Sequence, residues 1–528
     1  MKLIYLQALL ALIIISGCAR KNFYAETPVT DPAVYKQLLE TPHTIDSVTI
    51  KAGKHYKRGW LHRVFWGSHY RPLWTAEVKV PVFEMDTLKG GLTFEKLGGG
   101  FQTTSMTLSD STGFTYALRS LDKDPVLVVP KPLRKTAVAN ILRDQTTAIN
   151  PYGALAIPPL AQAAGIPHST PRLVYVHPND TSFDEHTERF SDKVFLIEEK
   201  FDGKNTLTPA LGDAVDITGS GKMLNNRYEE NNHLIDQQSF AKARLLDLLI
   251  HDWDRHEGQW EWAEYKKNDN TIYRPIPKDR DNVFYRFQDG IIPWIFSRNW
   301  AIRKFESFDD DYNDVFALTM NAEFLDKRAL SAVTRQQFDS LAVVLQKAIT
   351  DEVIEKAVRR FPDEVYKLEG ETTARKLRSR RDQLPKAASE FYEILAEEPL
   401  VVGTDEEDEF EVKRLNNDET EVIVRRKSDK VVMYRRTFLR SETKVITLHG
   451  LAEDDEFEVS GEVEKGIKVV IVGGRGEDEI KDKSKVKSGS KKTWVYDTKR
   501  GTELEAGPET KNKTTNDVRV HAFDREGF

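Results

Sequence analysis

The stretch of sequence that decides the fold runs from His251 to Trp260 and reads HDWDRHEGQW. It directly follows residues 239–250, whose alanine and leucine spacing predicts a helix with a wide apolar stripe. A second polar stretch, Pro277 to Phe284, reads PKDRDNVF. Because a loop at the end of a rigid helix holds its side chains in place, we expect the acidic groups of the two stretches to converge.

The residue types of these two stretches suit phosphoryl transfer. That reaction needs a carboxylate near the acceptor hydroxyl, an oxygen ligand for a metal ion, and a second carboxylate on the metal. Asp254 supplies the first group, and the side-chain oxygen of Gln259 supplies the second. Asp279 and Asp281 are the candidates for the third.

Simpler interpretations of the same residues stay open. Asp254 can cap the end of the helix or pair with Arg255, and His256 can be a buried structural imidazole. The acidic residues on either side of Arg280 can form an ion-pair cluster in the loop. Each of these alternatives predicts contacts that a structure can test.

Residues 254–259, DRHEGQ, resemble the D-R-H-x-x-N catalytic loop of atypical kinases, a group that includes phosphatidylinositol, HipA-type, secretory-pathway and CotH spore-coat kinases. Residues 279–281 are similar to the metal-binding D-x-D of the CotH type. The resemblance covers about residues 90–395 and implies an ATP-dependent enzyme. It assigns catalysis to Asp254 and His256. It assigns the metal ion, Mg²⁺ or Mn²⁺, to Gln259, Asp279 and Asp281.

The same resemblance implies an ATP-binding face on the strands upstream. The loop Gly98-Gly99-Gly100 would cover the phosphates with its backbone N–H groups. Residues 116–119 read YALR where kinases have V-A-I-K, so Arg119 stands in for the nucleotide-gripping lysine and Lys123 is a substitute.

The chain also departs from the kinase pattern. Arginine differs from lysine in reach and geometry. The predicted helical segment 135–164 has no glutamate to pair with Arg119, and Asp144 is its nearest acidic residue. Gln259 replaces the usual asparagine. These departures keep open an inactive, kinase-like binding or assembly module of the cell envelope.

The N-terminus predicts export and lipid anchoring. Lys2 precedes the apolar run Leu3 to Ile15, which is too short to span a bilayer and is typical of a signal peptide. The run ends in Ile15-Ser16-Gly17-Cys18, which resembles a bacterial lipobox. The resemblance implies that Cys18 is acylated and that the protein is anchored in the bacterial cell envelope, with the outer membrane as the expected location. An ordinary signal peptide with a chance cysteine is the alternative.

Four segments are expected along the chain: a signal peptide over 1–18, a tether over 19–55, a kinase-like domain over 56–398 and a β-rich domain over 399–528. The fold class is therefore α+β, with two lobes followed by an all-β domain. Short strands about every ten to twelve residues after Pro399 predict a β-sandwich or a β-solenoid. Gly473 to Lys481 fits one calcium-binding nonapeptide, but such sites need tandem copies, so we expect a structural turn and no Ca²⁺ at Asp478.

An aromatic segment, Tyr56 to Trp74, begins the kinase-like domain. A strap whose rings pack on the following domain is the favoured interpretation, and a membrane-surface role is the alternative. The region from this segment to the C-terminal strands also resembles the middle of larger bacterial outer-membrane proteins that join a calcineurin-like phosphoesterase to a barrel. No phosphoesterase motif G-N-H-[DE] is present in the sequence.

Composition excludes several classes of function. The 528 residues contain one cysteine, which rules out an intrachain disulfide scaffold. With 77 basic and 84 acidic residues, the net charge of -7 argues against charge-driven nucleic-acid binding.

The expected partner is the membrane, through lipidated Cys18. An envelope protein, a glycan and a lipid headgroup all stay open as the acceptor.

Overall fold

The computed structural model describes residues 18–98, 103–487 and 489–527. The expected fold class is confirmed, because a two-lobed α+β domain is followed by an all-β domain. Of the helices in this part of the chain, none combines the length and the apolar composition that crossing a bilayer requires.

The segment before the first lobe is packed against the domain, where the sequence suggested a tether. It contains helices α1 (Pro32–Glu40), α2 (Trp60–Trp66) and α3 (Arg71–Trp74), and strands β1 (Ser47–Ile50) and β2 (Val78–Pro81), which pair antiparallel. Phe23, Leu38 and Ile50 are buried in the same core as the second lobe. Most of residues 19–55 therefore belong to the folded body.

The first lobe is built on a five-stranded antiparallel sheet of order β3-β4-β5-β7-β6. Its elements are β3 (Thr93–Gly98), β4 (Thr103–Ser109), β5 (Thr115–Lys123), α4 (Ala137–Gln145), α5 (Ile157–Ala163), β6 (Arg172–Val176), α6 (Thr187–Phe190) and β7 (Lys193–Lys200). Side chains alternate across a strand. Leu118 of β5 therefore lies in the lobe core while Arg119 faces the other side, toward the second lobe.

The second lobe is mostly helical and carries one small sheet of order β8-β10-β11-β9. Its elements are β8 (Asp216–Gly219), α7 (Ser220–Glu229), β9 (His233–Ile235), α8 (Gln237–Ile250), β10 (Trp260–Lys267), β11 (Asn270–Pro277), α9 (Ile291–Phe296), α10 (Val315–Thr319), α11 (Glu323–Ala329), α12 (Arg335–Ala348), α13 (Asp351–Val358), α14 (Asp363–Val365) and α15 (Glu371–Glu397). Helix α8 lies in the centre of the lobe and packs on α12 and α15.

The C-terminal domain is a β-solenoid whose coils stack in parallel, with two antiparallel strands added at the edge of one sheet, and this decides between the two alternatives left by the sequence. Its strands are β12 (Leu400–Val402), β13 (Asp408–Arg414), β14 (Glu419–Arg426), β15 (Val432–Leu439), β16 (Val445–Ala452), β17 (Glu456–Ser460), β18 (Glu462–Val463), β19 (Lys468–Arg475), β20 (Asp478–Asp482), β21 (Lys485–Val486), β22 (Thr493–Tyr496), β23 (Thr502–Glu505) and β24 (Thr510–Asn512). Val445 pairs with Lys468 and Val469 pairs with Thr493, so successive coils are offset by 23 and 24 residues.

A line of buried aspartates connects successive coils of the solenoid. The backbone N–H of Asp408 donates to Asp455 Oδ1 at 2.8 Å, and that of Asp455 donates to Asp478 Oδ1 at 3.1 Å. Burial raises the pKa of Asp455 to about 10 and that of Asp478 to about 7. The segment that fits the calcium nonapeptide spans the end of β19, the short turn after it and most of β20, and its Gly474 and Gly476 have positive φ angles.

The C-terminal tail returns from the solenoid to the second lobe. Arg328 Nη2 donates to the Asp524 carbonyl at 2.7 Å, and the ring of Phe523 meets that of Tyr228 edge-on at 5.3 Å. Arg525 pairs with Asp405 at the junction of the two domains. The tail therefore fastens the last coil of the solenoid to the second lobe.

Candidate active site

The candidate catalytic loop leaves the end of helix α8 at a fixed angle. The helix ends at Ile250, and the next residue, His251, caps it in the left-handed conformation with a φ of 55°. The buried His251 Nε2 donates to the Glu306 carbonyl at 3.0 Å, and burial lowers its pKa well below the usual range. A neutral, fully packed imidazole therefore anchors the start of residues 252–256.

A buried arginine joins this loop to the second acidic stretch. Arg255 donates to the carbonyls of Lys278 and Gln259 at 2.7 and 2.9 Å, and its guanidinium lies over the ring of Trp260. Its Nε lies 3.3 Å from Asp247. Because Arg255 has these partners, the structure does not support the alternative in which it forms an ion pair with Asp254.

The β10–β11 hairpin explains why the two stretches meet. Trp260 is paired with Pro277 at the open end of the hairpin, and the N–H of Lys278 donates to the Gln259 carbonyl at 3.1 Å. Two segments about 20 residues apart are thereby placed side by side. The expected convergence of the acidic groups is found in the structure.

Two amides that sequence reasoning missed hold the carboxylate of Asp254. Asn282 Nδ2 donates to Asp254 Oδ2 at 3.2 Å, and Asn321 Nδ2 donates to Asp254 Oδ1 at 3.1 Å. Asn282 also lies 3.0 Å from Asp281 Oδ1 and so connects the two carboxylates. Neutral donors fix the orientation of Asp254 without placing a positive charge beside it.

Cations from the first lobe contact both acids of the second stretch. Lys123 Nζ lies 2.5 Å from Asp281 Oδ2, and Arg119 Nη1 lies 3.3 Å from Asp279 Oδ1. Arg119 also pairs with Glu198 of β7. Burial and the neighbouring Asp279 raise the pKa of Asp281 to about 6, although Lys123 acts in the opposite direction. Two cations of the first lobe therefore pair with two carboxylates of the second lobe across the cleft.

The cleft between the lobes is narrow. The cavity bounded by Arg119, Lys123, Leu196, Glu198 and Asp281 has a volume of about 20 Å³. This is about the space of one water molecule. A nucleotide would enter only after the ion pairs across the cleft separate.

The residues at the cleft fit a magnesium or manganese ion. Mg²⁺ binds oxygen ligands and is commonly held by one or two carboxylates plus substrate phosphates. Asp279 and Asp281 supply two carboxylates, and Gln259 Oε1 is a buried oxygen without a hydrogen-bond partner. These are the three residues that the resemblance assigned to the metal.

The other predicted site residues are placed as follows. His256 accepts from the N–H of Gly258 at 3.1 Å and lies 3.3 Å from Gln259 Nε2, so it supports its own loop and is not buried. Gly98 ends β3, whereas Gly99 and Gly100 lie outside the described residues. Asp144 does not pair with Arg119, because it is occupied by Arg58, His62 and Arg71.

Arg280 also has a partner that the sequence did not indicate. Its Nη1 lies 2.6 Å from Asp247 Oδ1 and 3.4 Å from Asp252 Oδ2, below the loop. The side chains of Asp279 and Asp281 are instead paired with the first lobe. The structure therefore does not show the local ion-pair cluster around Arg280.

Twelve chains of solved structures are similar to this one, and three of them are described here. The proinflammatory kinase CtkA of Helicobacter pylori is 12% identical, with a TM-score of 0.29, over 57% of this chain and 95% of its own. HipA of Shewanella oneidensis, from a toxin–antitoxin complex with HipB and operator DNA, is 12% identical with a TM-score of 0.26. The match covers 57% of this chain and 67% of the HipA chain. The MAP kinase LmaMPK10 of Leishmania major is 10% identical with a TM-score of 0.19. The match covers 58% of this chain and 85% of the kinase chain.

These are likenesses of fold alone. No protein-family model and no curated protein matches the chain. The assignment of the site therefore rests on the contacts among its own residues.

Proposed function

We propose that the protein is exported, anchored in the cell envelope through lipidated Cys18, and transfers a phosphoryl group from ATP to an envelope acceptor. One observation carries the enzymatic part of the proposal. Asp254 is connected through Asn282 to Asp281, and Asp281 contacts Lys123 across the cleft. A general base, a metal-binding carboxylate and a phosphate-binding cation are thus linked in one chain of contacts.

Each residue has a role that follows from its contacts. Asp254, held by two amides, would orient the acceptor hydroxyl and accept its proton. Gln259, Asp279 and Asp281 would hold Mg²⁺ or Mn²⁺, which supplies positive charge to the phosphates when bound. Lys123 and Arg119 would exchange their carboxylate partners for phosphate oxygens as ATP enters the cleft.

A second candidate function is a binding or assembly module without catalysis. The narrow cleft favours it, because both cations that would grip ATP are already neutralised by Asp281, Asp279 and Glu198. In this case the ion pairs serve only to hold the lobes together.

Thermal unfolding with ATP and Mg²⁺ or Mn²⁺ separates the two functions. A ligand present at about 100 times its Kd stabilises the folded state by about 2.7 kcal/mol. We expect this stabilisation in the wild type and in the exposed control Asp269→Asn, and its loss in Asp281→Ala. No stabilisation of the wild type, or equal stabilisation of Asp281→Ala, would contradict a nucleotide site in this cleft.

Transfer itself is tested with Asp254→Asn. Radiolabelled phosphate from γ-labelled ATP is followed into envelope fractions and into water. We expect Asp254→Asn to keep the ATP-dependent stabilisation and to lose transfer, because the amide cannot accept the proton. Transfer at the wild-type rate in Asp254→Asn would contradict the role of Asp254 as the group that accepts the proton.

A further inference from the structure

Two neighbouring helices present large apolar side chains to solvent. On α2, Trp60, Leu61 and Phe65 are 69%, 55% and 43% exposed. On α9 and the residues that follow it, Trp294, Phe296 and Trp300 are 51%, 51% and 75% exposed. Helices α2 and α9 contact each other, and these six exposed residues on and beside them are called here the aromatic face. Clustered exposed aromatics of this kind mark interaction sites.

The aromatic face is held rigidly. A Cβ on Gly290 would lie 2.2 Å from the Gly67 backbone nitrogen, so the end of α2 and the start of α9 approach as closely as two glycines allow. Asp289 accepts from the N–H of His69 at 2.6 Å and pairs with its ring at 2.5 Å. The side chains are therefore exposed on a fixed scaffold.

The two segments that carry the aromatic face have a positive charge of their own, and Asp144 and Asp289 are acidic residues packed against them. Residues 51–76 and 290–305, which carry both helices, contain no aspartate or glutamate. Arg63 on α2 is exposed, and the guanidinium of Arg298 lies over the ring of Trp294. Tryptophan and phenylalanine beside arginine and lysine are the composition of surfaces that lie in the interface of an anionic bilayer.

The proposed lipid anchor lies next to this face. Asn140 of α4 donates to the carbonyl of Cys18 at 3.0 Å, and Asp144 of the same helix contacts His62 of α2 at 2.9 Å. One helical turn, about 6 Å, separates Asn140 from Asp144. Acyl chains on Cys18 would therefore enter the membrane beside α2.

We propose that the aromatic face docks on the surface of an anionic phospholipid bilayer, with the rings in the interface. The docking orients the two-lobed domain relative to the membrane, while the acyl chains alone supply only a flexible attachment. This inference rests on the lipid-anchoring part of the proposed function. It does not require ATP binding, so the nucleotide experiments can fail while it stands.

Vesicle sedimentation tests the docking. The chain from residue 18 with Cys18→Ser contains every described element and no acyl group. We expect it to bind vesicles of phosphatidylethanolamine with phosphatidylglycerol more tightly than vesicles of phosphatidylcholine. The triple variant Trp60→Ser, Trp294→Ser, Trp300→Ser should bind about tenfold more weakly.

A matched triple variant, Val344→Ser, Leu368→Ser, Val518→Ser, removes equally exposed apolar groups elsewhere and should bind like the parent chain. Circular dichroism confirms that each variant is folded. No binding by the parent, or equal losses in both triple variants, would overturn the proposal. If the parent chain is a dimer and only the tryptophan triple variant is a monomer, the aromatic face binds a second copy of the chain. That result would also overturn the proposal.

A second and independent observation concerns a group of metal-ligand side chains outside the cleft. His43, Glu84 and His177 each offer one ligand atom, and these atoms lie within 4.8 Å of one another. His43 Nδ1 is 3.0 Å from Glu84 Oε2. Ligands on a tetrahedral zinc ion at about 2.0–2.2 Å are about 3.4 Å apart, so small side-chain movements would suffice.

The tautomer of His177 is compatible with metal binding through its Nε2 atom. Its Nδ1 lies 3.0 Å from the Pro178 carbonyl, which can only accept, so Nδ1 carries the proton. The buried Nε2 has no hydrogen-bond partner and lies 3.5 Å from Asp180 Oδ2. A lone pair on Nε2 facing a carboxylate oxygen is unfavourable, and either a proton or a metal cation on Nε2 removes the repulsion.

We infer that His43, Glu84 and His177 bind Zn²⁺ and clip the segment before β1 to the first lobe. Calorimetric titration with Zn²⁺ should give one site per chain, with an affinity at least about tenfold lower in Glu84→Gln and in His177→Ala. The control His186→Ala should bind like the wild type. No zinc binding, or unchanged affinity in Glu84→Gln, would overturn the site.

Discussion

Replacing Asp455 with asparagine should stabilise the solenoid at alkaline pH. The side chain is buried, its Oδ1 accepts from the N–H of Asp408, and its Oδ2 has no partner. A Cβ added to Gly450 would lie 2.1 Å from Asp455 Oδ2 and 2.2 Å from the Gly473 carbonyl oxygen, so both oxygens border the same small space. A protonated acid or an amide can donate there, whereas a carboxylate cannot.

The size and sign of the effect follow from the pKa. Burial raises the pKa of Asp455 from 3.8 to about 10, so over the range between these values the folded state holds one more proton than the unfolded state. Its stabilising contribution is complete below the unfolded pKa and is lost as pH rises. The loss is about 1.4 kcal/mol per pH unit, or about 2 kcal/mol between pH 7.5 and pH 9.

Urea unfolding over this pH interval measures the difference. The interval from pH 7.5 to pH 9 lies above the pKa of about 7 for Asp478 and of about 6 for Asp408. Of these three buried aspartates, Asp455 therefore makes the largest contribution to the change in stability over this interval. Asp455→Asn should flatten the decline, and Asp454→Asn, at the exposed neighbouring position, should leave it unchanged. Equal slopes for the wild type and Asp455→Asn would refute the reasoning.

Three further outcomes are expected. Arg244→Leu should lower the free energy of unfolding by about 3–5 kcal/mol, because it leaves the buried Asp326 without its paired arginine and removes one of the three arginines around Asp247; a loss below about 1 kcal/mol in urea unfolding would contradict this. Ile471→Ala in the solenoid core should cost about 2–5 kcal/mol, while Val518→Ala at an exposed position should change stability by less than about 0.5 kcal/mol, both measured by denaturant titration. Mn²⁺ binding in the cleft, followed by electron paramagnetic resonance, should weaken up to about tenfold per pH unit below pH 6, because Asp281 must be ionised; a flat profile would exclude it as a ligand.

The part of the site that is local in sequence could be predicted. Residues 254–259 and 279–281 each lie on one loop, and the hairpin between them is short, so their convergence follows from the chain itself. Asn321 is 67 residues from Asp254, and a single amide carries no spacing pattern. Glu198 was missed because the expected partner of Arg119 was an acid on a helix, whereas the structure supplies one from the neighbouring strand β7.

The fold shows the same division. The spacing of strands after Pro399 predicted short strands and turns, yet it left sandwich and solenoid open because both have that spacing. The choice depends on the 23- and 24-residue register between parallel strands, which only pairing partners reveal. Residues 19–55 are polar enough to suggest a tether, and their few apolar side chains, such as Leu38 and Ile50, are the ones that pack.

The docked C-terminal tail has a practical consequence for handling the protein. Phe523 and Arg525 sit between the domains, and a Cβ on Gly527 would lie 2.8 Å from the ring of Phe324. Removing residues 523–527 would take these contacts between the tail and the rest of the chain away. Tags and surface-immobilisation handles are better inserted at the exposed turn around Asp429, where the chain already projects from the solenoid.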